Sequence, residues 1–284
     1  MRVVIVGANG MLGTDLKNAC ACAGVNFVGL DLPEIDITRP ERLQDDMPEC
    51  DWIINCAAYT RVDDAETNRD ICFSVNAEGP RNLARLCAQR SVSLLHISTD
   101  YVFDGTKKNP YQEDDPTHAL SVYGESKLAG ERAVQNAGCA YIIARTQSLF
   151  GLHGPSFIQS IMRFLAEGKV PLKVVHDQVS CPTWSGQLAD ALLRLLQTKH
   201  RGIVHTSSEG ACSWFDFARA IVDRVQPGVE VIPVPASTYP RPARRPANSV
   251  LDKTRYTQWT GHRFPSWQEG LDAYLEALNH ESLT

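Results

Sequence analysis

Tyr123 and Lys127 stand four residues apart in SVYGESKLAGERAV, a stretch with helical spacing, so both side chains leave one helix face about a turn apart. A phenol with an ordinary pKa of about 10 is a feeble acid or base at neutral pH, and an ammonium beside it favours the phenolate. The pair is therefore suited to proton transfer. Taken alone, Y-x-x-x-K would equally suit an exposed pair on any helix. Twenty-four residues before Tyr123, however, the run SLLHIS leads into Ser98-Thr99-Asp100. That puts a hydroxyl at the carboxyl end of a strand, where open α/β sheets bind their ligands.

A second chemical feature opens the chain. The run RVVIVG ends in Gly7-Ala8-Asn9-Gly10-Met11-Leu12-Gly13, and a helical pattern begins at once with Leu16, Ala19 and Cys20. Gly7 permits a tight turn, and Gly10 lets backbone amides approach a pyrophosphate. Gly13 lets the helix pack close to the strand with its amino-terminal dipole on the phosphates. A glycine-rich turn without a ligand is the plainer alternative. Asp31 ends the next run, NFVGLD, where a carboxylate accepts from the adenosine ribose hydroxyls and repels a 2′-phosphate. This favours NADH over NADPH; capping the turn before Pro33 is the other reading of Asp31.

Such residues need a scaffold that gathers strand ends. Short β-branched runs ending near 7, 31, 56, 98 and 145 alternate with helical stretches such as 69–90, with its stripe of Leu83, Leu86 and Cys87. The alternation predicts βαβ units: an α/β, doubly wound parallel-sheet Rossmann fold buried on both faces. Residues 1–150 are expected to form the dinucleotide-binding core. LKVVH at 172–176 and IVHTSS at 203–208 are expected to extend its sheet, so that 172–210 returns to it. Residues 151–171 and 211–284 make a smaller C-terminal substrate-binding lobe. There the sequence predicts a helix from about Ser213, a strand in VEVIPV and an ordered loop in PASTYPRPARRPANS. Arg241, Arg244 and Arg245 of that loop offer forked, permanent charges suited to a pyrophosphate, although a solvated surface cluster would read the same way.

Hydrophobic residues make up 43% of the 284 and charged ones 21%, enough to bury a core and to argue against disorder. A formal net charge of −5 makes nucleic acid a poor partner. The first apolar stretch breaks at Gly7, too short for a signal sequence or a span, so no membrane partner and a cytoplasmic location are expected. Nine cysteines with no C-x-x-C pair read as reduced core thiols, and eight histidines without H-x-x-H or H-E-x-x-H spacing predict no tightly held metal.

The G-x-x-G-x-x-G spacing, Cys56-Ala57-Ala58 after the third strand, and the set Thr99, Tyr123 and Lys127 resemble the extended branch of the short-chain dehydrogenase/reductase superfamily. The segments CAAYTRVDDAE, STDYVFDG, YGESKLAGE, RTQSLFG, HDQVSCPTW, RRPANSVLD and FPSWQEGL carry the resemblance along nearly the whole chain, to the dTDP-4-dehydrorhamnose reductase family. The resemblance implies NADH- or NADPH-dependent reduction of the 4-keto group of a nucleotide-linked deoxysugar. In that reading Thr99 holds the substrate carbonyl, Tyr123 delivers the proton, and Lys127 binds the nicotinamide ribose and tunes the tyrosine. Implied cofactor contacts are Gly7, Asn9, Gly10, Met11, Leu12, Gly13, Asp31, Asp36, Ile37, Cys56, Ala57, Ala58, Tyr59 and Asn76, with Asp36-Ile37 beside the adenine. Implied substrate contacts are Thr99, Asp100, Tyr101, Val102, Phe103, Ser148 and Arg245, with Asn248 and Ser249 as positioning residues.

Sugar-nucleotide 4,6-dehydratases resemble one another in a T-D-E at this strand end. Here Thr99-Asp100-Tyr101 lacks the glutamate that elimination of water would use, which favours simple carbonyl reduction; an epimerase is a further alternative. Ser148 stands where the family pattern R-T-x-W-x-Y-G has tryptophan, and Ser180 where D-Q-x-G-x-P-T has glycine, so the sugar wall departs from the pattern. Asp15 matches one acidic position of members with a magnesium-bridged dimer. No carboxyl-terminal partner is evident, so a homodimer, if formed, is expected without metal. The branch also resembles the regulatory subunit of methionine adenosyltransferase, a non-catalytic reading. Retention of Thr99, Tyr123 and Lys127 favours the enzyme.

Overall fold

The computed structural model describes residues 1–281. Its first half contains β1 (Arg2–Val6), α1 (Met11–Cys22), β2 (Asn26–Leu30), α2 (Pro40–Asp46), β3 (Trp52–Asn55), α3 (Arg69–Phe73), α4 (Gly79–Arg90), β4 (Ser93–Thr99), α5 (Val122–Gln135) and β5 (Tyr141–Thr146). There follow β6 (Leu149–Phe150), α6 (Phe157–Ala166), β7 (Leu172–Val175), β8 (Val179–Ser180), β9 (Thr183–Trp184), α7 (Ser185–Leu196) and β10 (Gly202–His205). The chain closes with β11 (Cys212–Ser213), α8 (Trp214–Val225), β12 (Val231–Val234), α9 (Thr254–Thr260) and α10 (Trp267–Glu281).

Six strands form the main sheet in the order β10-β5-β4-β3-β1-β2, with every neighbouring pair parallel. Successive side chains of a strand point to opposite faces, and both faces of the inner strands are covered, whereas the edge strand β2 has no fully buried residue. Val3 and Ile5 pack with Leu12 and Leu16 of α1 and Leu188 and Leu192 of α7. Val4 and Val6 pack on the other side with Leu83 and Leu86 of α4 and Val134 of α5. This double burial is why the strands read as unbroken apolar runs. A separate core of Phe150, Ile161, Leu172, Phe217, Ile221 and Leu271 fills the smaller lobe.

The sheet's carboxyl edge thus collects the ends of β1, β3 and β4, and the site is built there. Two expectations change. β10 joins the main sheet as expected, but β7 pairs in parallel with β12 in a two-stranded sheet of the smaller lobe. Leu172 and Val174 bury there, in the lobe's own core; a short apolar run does not declare which sheet it joins. The single helix expected over 69–90 is instead α3 and α4 with a π turn at 74–78 between them.

All nine cysteines are free; Cys20, Cys72, Cys87, Cys181 and Cys212 are buried as expected, whereas Cys22 is exposed. Among the described residues no helix is long and apolar enough to cross a membrane, and no three His, Cys, Asp or Glu side chains are grouped to hold a metal ion.

Candidate active site

Thr99 is the last residue of β4, and Tyr123 lies in the first turn of α5. That turn is fixed by two caps. The Ser121 hydroxyl accepts from the Gly124 amide at 3.2 Å, and the Glu66 carboxylate accepts from the Val122 amide at 2.9 Å. The Tyr123 phenol faces the Thr99 hydroxyl, which favours its ionised form, and Thr99 donates to Asp100 Oδ1 at 3.0 Å. Lys127 is buried, one turn further along, and its Nζ donates to the Ile97 carbonyl at 2.6 Å. Thr99, Tyr123 and Lys127 therefore converge.

The electrostatics differ from the expectation of a favoured phenolate. Burial pushes the Tyr123 phenol above its ordinary value, outweighing the opposing effect of the Thr99 hydroxyl. Burial also pulls the Lys127 ammonium down to about 8, against the opposing pull of Glu131. Loss of hydration, which disfavours any charged form, dominates both groups. Tyr123 is thus held as a neutral phenol, the form that donates a proton.

Beside this set runs a groove of about 350 Å³ lined by Gly7, Gly10, Asp31, Ile35, Asp36, Ile37, Thr38, Cys56, Ala57, Ala58, Tyr59 and Val75. Gly7 has φ +78°, and a Cβ there would lie 2.6 Å from the Ala57 amide nitrogen; a Cβ on Gly13 would lie 2.2 Å from the Gly7 carbonyl oxygen. The first turn of α1 has no side-chain cap, so its amides are open to an anion. The residues fit a dinucleotide: glycine floor, uncapped helix and a carboxylate at the end of β2. Asp31 is partly engaged, accepting from the Asn9 amide and the Leu32 amide, each at 2.8 Å. Met11 and Leu12 contribute backbone at this turn, while the Leu12 side chain belongs to the core. Asn76, buried on the π turn, accepts from the Tyr59 amide at 2.8 Å and donates to its carbonyl at 3.0 Å. It braces the groove wall. Tyr59 and Tyr123 pack on one apolar cluster, which joins groove to catalytic set.

On the other side, Tyr101 packs edge-on to Tyr123 with centroids 5.8 Å apart, and the Arg245 charge lies near enough to the Tyr101 phenol to favour its ionised form. Arg245 also lines a cleft of about 750 Å³ with Arg163, Lys173, Arg241, Phe164, Trp214 and Tyr239. The cleft's neighbour, reached past Phe157, Ser160 and Trp214, is lined by Ser148. Ser249 is buried beside Asp100 and favours its ionised form. Of the expected substrate residues Arg245 lines the larger cleft and Ser148 its neighbour, and the others lie outside both. Val102 and Phe103 are fully buried with Tyr111 and Leu251, Phe103 stacking on Tyr111 at 4.2 Å. Asn248 donates its amide hydrogens to the Lys107 and Lys108 carbonyls, which ties down that loop.

A family model described as "RmlD substrate binding domain" matches residues 1–280. A dTDP-4-dehydrorhamnose reductase of Burkholderia thailandensis is 39% identical over 289 residues, covering 94% of this chain and 96% of the relative. The chain belongs to the dTDP-4-dehydrorhamnose reductase family. A relative of that name from Mycolicibacterium smegmatis is 40% identical over 281 residues, covering 98% of this chain and 86% of its own. The crystal structure of the Bacillus anthracis dTDP-4-dehydrorhamnose reductase, in complex with NADP, superposes with a TM-score of 0.92 at 35% identity, covering 97% of this chain and 99% of that one.

Several residues of this family member's site escaped sequence reasoning. Asp63, inside CAAYTRVDDAE, carries no role in sequence but receives both arms of Arg245. Glu66, Ser126 and the aromatic wall of Phe164, Trp214 and Tyr239 also went unread. Only the adjacent pair Asp63-Asp64 in CAAYTRVDDAE offered a signal.

Proposed function

We propose that this chain reduces the 4-keto group of a dTDP-linked 6-deoxysugar, dTDP-4-dehydrorhamnose or a close analogue, with a nicotinamide dinucleotide as hydride source. The reading is carried by one observation: Thr99, Tyr123 and Lys127 meet at the end of β4 beside a glycine-floored groove. Bound there, a dihydronicotinamide supplies the hydride.

The chain's own residues do the rest. Tyr123, kept neutral by burial, gives its proton to the carbonyl oxygen as negative charge grows there. An alkoxide is a far stronger base than a phenolate, so a raised phenol pKa does not stall the transfer. A positioned acid of this kind is worth roughly 10²–10⁴-fold in rate. Thr99 orients the carbonyl. Lys127 has three donors, of which the Ile97 carbonyl takes one; the others suit ribose hydroxyls, and its charge stabilises the phenolate left behind.

The uncapped turn of α1 suits a pyrophosphate. Asp31 suits a free ribose and favours NADH over NADPH. In the smaller lobe, the Trp214, Phe164 and Tyr239 faces suit a nucleobase, and Arg163, Lys173 and Arg241 suit a diphosphate. The test is direct: mix the protein with dTDP-4-dehydrorhamnose and NADH or NADPH. Loss of reduced cofactor matched by a 4-hydroxy sugar product is expected. Cofactor binding without turnover on any 4-keto sugar nucleotide would contradict the proposal.

A further inference from the structure

Behind the catalytic set lies an ion pair the reaction does not touch. Glu131 and Arg145 are 1% and 2% exposed, and the arginine fork closes on the carboxylate at 2.9 and 2.7 Å. Ser98 adds a third donor, its hydroxyl reaching Glu131 Oε1 at 2.5 Å. Stability does not explain such a pair, since an apolar replacement of similar volume is often neutral or better. Its place in the fold is informative. Glu131 follows Lys127 by four residues and Tyr123 by eight on α5, so the three share one helix face. Ser98 and Arg145 are direct partners across β4 and β5, each the neighbour of the next partnered pair, Thr99 and Thr146. One carboxylate thus ties the catalytic face of α5 to the strand that presents Thr99.

We propose that Glu131, clamped by Arg145 and Ser98, is a positioning residue that keeps Lys127 protonated and sets the Tyr123–Lys127 turn against Thr99. This rests on the reading of those three residues as the catalytic set.

The charges facing Lys127 single out Glu131. Burial keeps the Cys56 and Cys72 thiols protonated, pushing Cys56 to about 12. His96 of β4 is held neutral by burial, with the Lys127 charge adding to the effect. Of the other charged groups on elements packed against α5, Glu66 caps its first turn. Arg69 pairs with Glu125 at 2.9 Å. Asp100 accepts from Thr99. Glu131 is the carboxylate that counters the desolvation of Lys127, and Arg145 holds it in place.

The test titrates the amine directly. In protein labelled with ¹⁵N-lysine, Lys127→Met identifies the Lys127 Nζ resonance, which in the wild type is expected to titrate near about 8. In Glu131→Gln that midpoint should fall by about one pH unit, with the alkaline limb of kcat/KM falling in parallel. Because this variant leaves Arg145 unbalanced and can unfold, the apolar double variant Glu131→Leu/Arg145→Met is measured beside it. A smaller downward movement is expected there. An unmoved Lys127 midpoint in the folded double variant would overturn the proposal. As the readout is the amine itself, failure of the wild type to reduce any sugar would count against the function alone.

Discussion

Arg245 closes both arms of its guanidinium on Asp63, Nη1 to Oδ1 at 3.0 Å and Nη2 to Oδ2 at 2.9 Å. The pair spans 182 residues of chain, tying the loop after β3 to the arginine-rich segment before α9. The hydrogen bond from Arg245 also holds Asp63 below the ordinary carboxylate range. A fork spent on Asp63 is not free to grip a diphosphate with both arms, so Arg245 contributes charge and position to the cleft.

Arg245→Ala is accordingly expected to raise KM for the nucleotide sugar roughly 10-fold or more and to lower Tm, since Asp63 loses its partner. Asp63→Asn should lower Tm while leaving KM within about 3-fold. Steady-state kinetics and thermal melts of both variants decide the matter. Equal rises in KM would show that the arginine acts only by holding the two segments together.

Ser148 and Ser180, the two departures from the family pattern, meet: their hydroxyls are 2.7 Å apart. Ser148 sits at φ 45°, in the left-handed region that few non-glycine residues adopt, and lines a cleft of about 320 Å³ with Phe157 and Trp214. A tryptophan at 148 would fill that space. Ser148→Trp should therefore lower kcat/KM for the sugar nucleotide by about 10-fold with cofactor affinity unchanged. A matching loss of cofactor affinity would remove this wall from the sugar side.

Asp100 is 2% exposed, and burial pushes its carboxyl up to about 6 against the opposing effects of Ser249 and Thr99. A carboxyl whose folded pKa is raised contributes its stability in the protonated form. That contribution is complete below the ordinary carboxylate range and is lost as pH climbs through about 6. Asp100→Asn should remove this slope, gaining on the wild type by roughly 2 kcal/mol between pH 4 and pH 7.5. Urea unfolding at both pH values measures it. A difference that stays flat with pH means Asp100 titrates normally.

Asp31 is expected to make NADH bind at least as well as NADPH, by repelling a 2′-phosphate. Fluorescence titration with both cofactors checks this, and Asp31→Asn, which removes the charge and keeps one of the two acceptors that the Asn9 and Leu32 amides use, should shift the ratio towards NADPH by about 10-fold. An NADPH preference unchanged in that variant would show that another residue governs the choice.

The catalytic set and the glycine turn were legible because their chemistry is written in local spacing: four residues between Tyr123 and Lys127, and three between successive glycines. Six strands of the sheet were legible for the same reason. What stayed hidden is tertiary. Glu131–Arg145 and Asp63–Arg245 join residues whose separate positions carry no periodic signal. The partner of β7 depends on which core its two inward side chains reach. The π turn at 74–78 breaks a stripe that continues helically on either side, yet it is what carries Asn76 to Tyr59. The family resemblance implies substrate contacts at Val102 and Phe103, but both are buried, and stacking on Tyr111 draws Phe103 inward.

The central claim is that the Tyr123 phenol supplies the proton for carbonyl reduction. The most direct measurement is single-turnover oxidation of bound reduced cofactor by dTDP-4-dehydrorhamnose in Tyr123→Phe beside the wild type. Phenylalanine preserves the ring packed on Tyr101 and removes only the hydroxyl. The account predicts a rate at least ~100-fold lower, with cofactor affinity within about 2-fold of wild type. A rate near that of the wild type would contradict it.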